Sequence, residues 1–154
     1  MKKIKLTKGM VALVDDEDFE RINSFKWCVG KTSFHHYAMR RDGKKTLFMH
    51  RFIVDAPKGL LVDHINRNGL DNRKENLRVC TAQQNRRNGG LSKLNTSGYK
   101  GVSWNKGIHK WSAYITANYK RIHLGYFDDK TEAARAYNNA AKQYFKEFNS
   151  SNII

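Results

Sequence analysis

Apolar and polar positions alternate in short runs along most of the chain, and a sustained helical stripe appears only near its end. The stretch "MVALVDDEDFERINSF" (residues 10–25) predicts a strand, then acids capping a short helix with Phe19, Ile22 and Phe25 on its apolar side. "KWCVG" and "HHYAMRRDGKKTLFMHRF" alternate as strands do, and Asp42-Gly43 between two such runs signals a tight hairpin. His35 and His36 precede that hairpin and point to opposite faces, which separates them chemically. His50-Arg51 opens the apolar run "FIVDAP", which ends at the only proline, Pro57; His50 reads equally well as a packing residue or a phosphate contact.

The middle of the chain departs from simple alternation. "GLLV" is strand-like and leads into Asp63 and His64, "NRNGLDNRKEN" is too dense in Asn, Asp and Gly to be anything but a loop, and "NLRVC" restores the alternation. Asn76 therefore stands where the loop re-enters a strand. Thr81 and Gln84 have capping-box spacing, so a helix starts there with Asn85 in its first turn. Two readings fit this strand–loop–strand–helix unit. In one, the Asn and Asp residues only satisfy their own backbone. In the other, Asp63 and Asn85 are hard oxygen ligands for magnesium or manganese, and His64, on the other side of the strand from Asp63, accepts a proton from an attacking water.

Beyond it, "RRNGGLSKLNTSG" has linker composition, and its basic residues, Arg86 and Arg87 first, suit either a solvated tether or a segment that follows a phosphate backbone. "YKGVSW", "KWSAYITA" and "KRIHLGYF" are three strand-like runs. After them Ala133, Ala136, Tyr137, Ala140, Ala141, Tyr144 and Phe148 form one helical stripe, with Asp129 and Glu132 placed to cap it. Period two sends Trp111, Ala113, Ile115, Ile122 and Leu124 towards that helix and turns Lys110, Ser112, Tyr114, Thr116, Arg121 and His123 outward. Trp111 counts as core, and Trp104 is assigned to neither face. A basic, polar sheet face of this kind suits a DNA major groove.

Charge sharpens the picture. Lys and Arg number 29 against 14 acids, a formal +15, and both parts are basic: +9 over residues 1–90 and +6 over the rest. That distribution fits a polyanion running along the molecule. Cys28 and Cys80 are isolated, which argues for a reduced compartment and against zinc. No apolar run reaches membrane-spanning length, and acids at 15–18 follow the basic start too soon for a secretory signal, so the expected location is the cytoplasm.

"VDHINRNGLDNRKENLRVCTAQQN" (62–85) resembles the nuclease core of the HNH family, in the branch of phage and intron homing endonucleases. The Asp-His pair, an Asn twelve residues after His64, "ENLR" and an Asn nine residues further carry the likeness, and the segment before it is similar to what precedes the motif in phage members. The resemblance implies a ββα-metal fold with Asp63 and Asn85 as metal ligands, His64 as general base, and Asn76 holding the loop and orienting His64; many members have His where this chain has Asn85. Residues 98 to about 149 resemble the APETALA-type domain of plant ethylene-response factors through "GYKGVSW", "W-x-A-x-I", "LGYFD" and "EAARAYNNAA". That likeness implies a three-stranded antiparallel sheet on one helix, with DNA contacts by Lys100, Lys110, Tyr114, Thr116, Arg121 and His123.

The expectation is an α+β protein: a nuclease region at 1–88 (core 60–88) with a small amino-terminal antiparallel sheet, a linker at 89–97, and a DNA-binding domain at 98–150. Function follows as a monomeric, metal-dependent, homing-type endonuclease acting on double-stranded DNA, in the host cytoplasm if phage-encoded. The rivals are a non-cleaving DNA-binding regulator and a binder of structured RNA.

Overall fold

A computed structural model describes residues 1–32 and 35–154. The chain is a mixed α/β protein of small antiparallel sheets and few helices, divided into two compact units, Met1–Asn85 and Arg86–Ile154. Among the described residues, no helix is long and apolar enough to cross a membrane.

In the first unit, β1 (Lys2–Lys5) pairs antiparallel with β2 (Val11–Val14). Strand β1 shows no alternation of its own, because Ile4 is its sole buried position; its lysines keep an exposed edge soluble. Helix α1 (Phe19–Asn23) follows and buries Ile22 as expected, while Phe25 stays exposed and meets the Phe52 ring edge-on, 5.7 Å away. Its first-turn acids do not cap it: the Asp18 side chain instead takes Arg21 at 2.8 Å and Lys74 at 3.1 Å.

Strands β3 (Cys28–Lys31), β4 (His36–Asp42) and β5 (Lys45–Phe48) form a second antiparallel sheet. Asp42 pairs with Lys45, so the hairpin residues are Gly43 and Lys44, with Gly43 at φ 58°. The turn sits one residue later than the Asp-Gly signal suggests, with Gly in the first central place. After β5 the alternation stops at helix α2 (Met49–Ile53), where a strand was expected. Five residues are too few to show a period, yet Met49 and Ile53 share a helix face and both are buried. They join Ile4, Leu6, Ala12, Val14, Ile22, Trp27, Ala38 and Leu77 in one core.

The hairpin of β6 (Leu61–His64) and β7 (Leu77–Cys80) leads into helix α3 (Ala82–Asn88), which runs across the division between the units. The expected capping box is present: Thr81 N–H donates to Gln84 Oε1 at 2.8 Å, and Gln84 N–H donates to Thr81 Oγ1 at 3.2 Å.

In the second unit, β8 (Val102–Asn105), β9 (Lys110–Ala117) and β10 (Lys120–Phe127) form an antiparallel sheet packed on helix α4 (Lys130–Phe145). The end of the linker-like stretch is ordered here, with Ser97 Oγ donating to Val102 O at 2.8 Å. Asp129 caps α4 by accepting from the Thr131 and Glu132 backbone N–H groups. The buried stripe of α4 differs from the expected one by including Ala134 and Phe145 and leaving Tyr144 exposed; the helix ends at Phe145, and Phe148 is buried from the turn beyond it. Glycine is required at 101, where φ is 68° and a Cβ would stand 2.3 Å from both Tyr114 O and the Tyr137 ring. We expect Gly101→Ala to destabilise this unit by about 2–3 kcal/mol through strain and overpacking, read as a lowered urea midpoint.

Candidate functional site

The loop from 65 to 76 is built by its own side chains. Asn66 Oδ1 accepts from Asn68 N–H at 2.8 Å, Asn68 Oδ1 from Leu70 N–H at 3.1 Å, and Asn76 Oδ1 from Asn66 N–H at 2.9 Å. Asn76 Nδ2 donates to Asp71 O at 2.7 Å. The buried Asp71 carboxylate accepts from Asn66 Nδ2 and from Nε and Nη2 of Arg73, each at 2.8 Å, and the Arg73 guanidinium holds its pKa below the usual carboxylate value. Strand β2 ties the loop from outside: Leu13 N–H donates to Leu70 O and Asn72 N–H to Leu13 O, both at 2.8 Å. On the other flank a Cβ at Gly69 would lie 2.4 Å from His36 O and 2.6 Å from the Tyr37 ring, so the loop sits hard against β4.

Asp63 and His64 end β6, and both are buried, although consecutive strand residues point to opposite sides. Asp63 Oδ2 accepts from Arg78 Nε at 2.8 Å and Nη2 at 2.7 Å, across the ladder that pairs these two residues. His64 lies among rings: Tyr37 at 5.8 Å between centroids and His50 at 5.0 Å, nearly perpendicular. Its Nε2 is 3.5 Å from Asn72 Oδ1, at the limit of a hydrogen bond. Burial pulls the His64 pKa below 6.5, against the opposing effects of the Asn72 contact and the Asp63 charge, so the ring is neutral at neutral pH.

His50, which sequence left between packing and phosphate contact, is a packing residue. It is buried on α2 between Phe48, Tyr37 and His64, and burial, reinforced by His64 and Arg51, pushes its pKa down to about 3. Its Nδ1 and the Nδ2 of Asn72 are buried without a hydrogen-bond partner among the described residues. Asn85 lies half-buried in the first turn of α3, its backbone N–H on Thr81 O at 2.9 Å. Among the described residues, no group of three or more His, Cys, Asp or Glu is arranged to hold a metal ion. The donors expected from sequence, the Asp63 carboxylate with Arg78 on its Oδ2 and the Asn85 side-chain amide, would suit a hard cation keeping several waters, such as magnesium or manganese, and zinc poorly.

On the second unit's sheet, Lys110, Tyr114, Thr116, Arg121 and His123 lie on the face away from α4 or at its edge. Arg121 stacks its guanidinium 3.6 Å from the Tyr114 ring centre. Tyr114, Arg121, His123 and Tyr126, with Ser103, Trp104, Asn105, Lys106 and Ser112, line a concavity of about 560 Å³. Tyr126 escaped the sequence reading because the ladder shifts between His123 and Gly125, a bulge that reverses the phase of the strand. Lys110 Nζ pairs with Asp128 at 3.2 Å. Lys100 Nζ lies 2.9 Å from Ser150 Oγ. Arg87 lies over the Phe145 ring at 4.4 Å, and Arg86 is exposed. Asn72, Arg78 and Tyr37 were missed around the first site. Only Asn72 had a local signal, being one of several equivalent-looking Asn residues in the loop.

Comparison with known proteins places these features. The HNH endonuclease family matches residues 55–87, and the AP2 domain family matches residues 97–147. An uncharacterized HNH endonuclease of Acanthamoeba polyphaga mimivirus is 32% identical over 152 residues, covering 96% of this chain and 77% of the relative. Protein 3.8 of Escherichia phage T7 is 42% identical over 65 residues, 42% of this chain and 54% of that protein. No solved structure matches. The chain belongs to the HNH endonuclease family. It is a nuclease, and its HNH and AP2 domains mark it as a DNA-binding protein.

The buried His50 gives the first unit a defined pH response. Its folded pKa lies below the unfolded value of 6.5, so its contribution is fully present above 6.5 and is lost as pH falls towards 3, where the unfolded chain binds a proton that the folded one refuses. We expect on the order of 3–5 kcal/mol of stability to be lost across that interval from this group. His50→Phe should flatten the slope in urea titrations at successive pH values.

Proposed function

We propose that the protein is a homing-type, divalent-metal-dependent endonuclease that hydrolyses one phosphodiester bond of double-stranded DNA per engagement and so nicks one strand. The observation that carries this reading is the pairing, on consecutive residues at the end of β6, of a buried carboxylate with a buried imidazole kept neutral at neutral pH. Asp63 and Asn85 would hold the cation, with β6, β7 and α3 supplying a ββα-metal arrangement. When bound, magnesium or manganese supplies charge stabilisation at the scissile phosphate and its leaving oxygen.

His64 takes the proton of the attacking water as general base. The rings of Tyr37 and His50 fix its plane, and Asn76 fixes the loop that starts one residue later. Arg78 orients Asp63 by gripping one carboxylate oxygen. The sheet face of the second unit reads DNA through Arg121, Tyr114, Thr116, His123 and Lys110, while Arg86 and Arg87 follow the phosphate backbone. The protein acts as a monomer, and one active site then leaves a nick.

His64→Ala should lower cleavage by at least about 10²-fold and leave DNA affinity nearly unchanged. The assay is conversion of supercoiled plasmid to the open circle. Asp63→Ala and Asn85→Ala should be partly rescued by higher magnesium or manganese, and full wild-type cleavage in excess chelator would refute the metal requirement.

Arg121→Ala should cost on the order of 1–3 kcal/mol at the preferred site and relax selectivity at particular base pairs. Uniform weakening across a panel of single-base variants, with a salt slope lower by about one, would make Arg121 a phosphate contact instead.

A further inference from the structure

The β9–β10 hairpin turns on two residues, since Ala117 pairs with Lys120. Both turn residues have positive φ, 48° at Asn118 and 62° at Tyr119. Asn tolerates that geometry, whereas the second place is one that glycine fills without strain and a bulky ring does not. Among the described residues the ring gains nothing for its position: Tyr119 is 88% exposed and belongs to no hydrophobic cluster. His109, the other ring at positive φ among the described residues, has Trp104 against it at 6.4 Å. Local strain with no internal return points to a role outside the folded chain.

The surroundings say which role. Lys120 and Arg121 follow Tyr119 and are exposed, and Arg121 pairs with the exposed Thr116. Tyr119 thus stands two residues, about 7 Å of strand, from the Arg121–Tyr114 stack. A protruding aromatic beside cations has the shape and charge of a side chain that enters a stack of bases.

We propose that Tyr119 is a wedge that inserts between stacked base pairs of bound duplex DNA and kinks it next to the segment held by the sheet face. The inference rests on the reading of that face as a DNA interface and adds to it a contact that deforms the duplex. The phenolic oxygen is not needed, because stacking uses the ring alone.

The test uses the full chain, with chelator present to prevent cleavage, on duplexes that it selects from a random pool. These carry end labels that report bending and a fluorescent purine analogue that brightens on unstacking, placed at successive positions. Tyr119→Gly should raise the thermal midpoint of the second unit by a few degrees, because it relieves the turn. It should also weaken DNA binding about five-fold or more and abolish the bend and the unstacking signal. Tyr119→Phe should behave as the parent. A Tyr119→Gly variant that keeps its affinity or its unstacking signal, or that melts earlier, overturns the proposal, as does a parent protein that produces no unstacking. Arg121→Ala separates the two ideas: weakened binding there, with Tyr119→Gly unaffected, removes only the wedge, whereas no effect of either variant removes the sheet-face reading as well.

Discussion

The buried Asp71 carboxylate, gripped by Arg73 and Asn66 while Asn76 spans its backbone, is the constraint on which the candidate active site depends. It closes the loop between β6 and β7 and thereby fixes which residue of one strand faces which residue of the other. The register sets Asp63 opposite Arg78 and His64 opposite Leu77. A slip of one residue would turn the imidazole out of its ring pocket and the carboxylate into it. The charge-assisted hydrogen bonds on Asp71 hold the loop against that slip.

Of the two readings of this loop from sequence, the backbone-satisfying one describes the residues between the strands. Asn66, Asn68, Asp71 and Asn76 do satisfy backbone or one another, as in any polar turn. Asp63 and His64 stand on the strand that enters it, and Arg67 N–H donates to His64 O at 2.8 Å. The turn chemistry is the scaffold of the site, and its density in Asn and Asp is what made the site hard to distinguish from an ordinary loop.

What was legible was mostly local. The Thr81–Gln84 box, the Asp129 cap and the two faces of β9 each follow from residues within four places or from a period of two. What was not legible comes from residues far apart. The environment of His64 is made by His50 and Tyr37, fourteen and twenty-seven residues earlier, and by a helix too short to show a period. Burial of an imidazole, which sets its protonation, is a property of those distant neighbours. The position of Phe145 in place of Tyr144 has a similar origin: the end of α4 is packed against Ile115, Ala117 and Ile122, and the stripe follows the sheet it covers.

The bulge in β10 acts as a phase shifter. Before it, odd-numbered residues such as Arg121 and His123 share one face; beyond it Tyr126 pairs with Ser112 on that same face, while Phe127 pairs with Trp111 on the helix side. Gly125, at φ 130°, supplies the backbone freedom that the shift needs. An alignment that counts residues along this strand without a gap at the bulge would therefore exchange surface for core in relatives with a straight β10, and would match Tyr126 here to a buried position there.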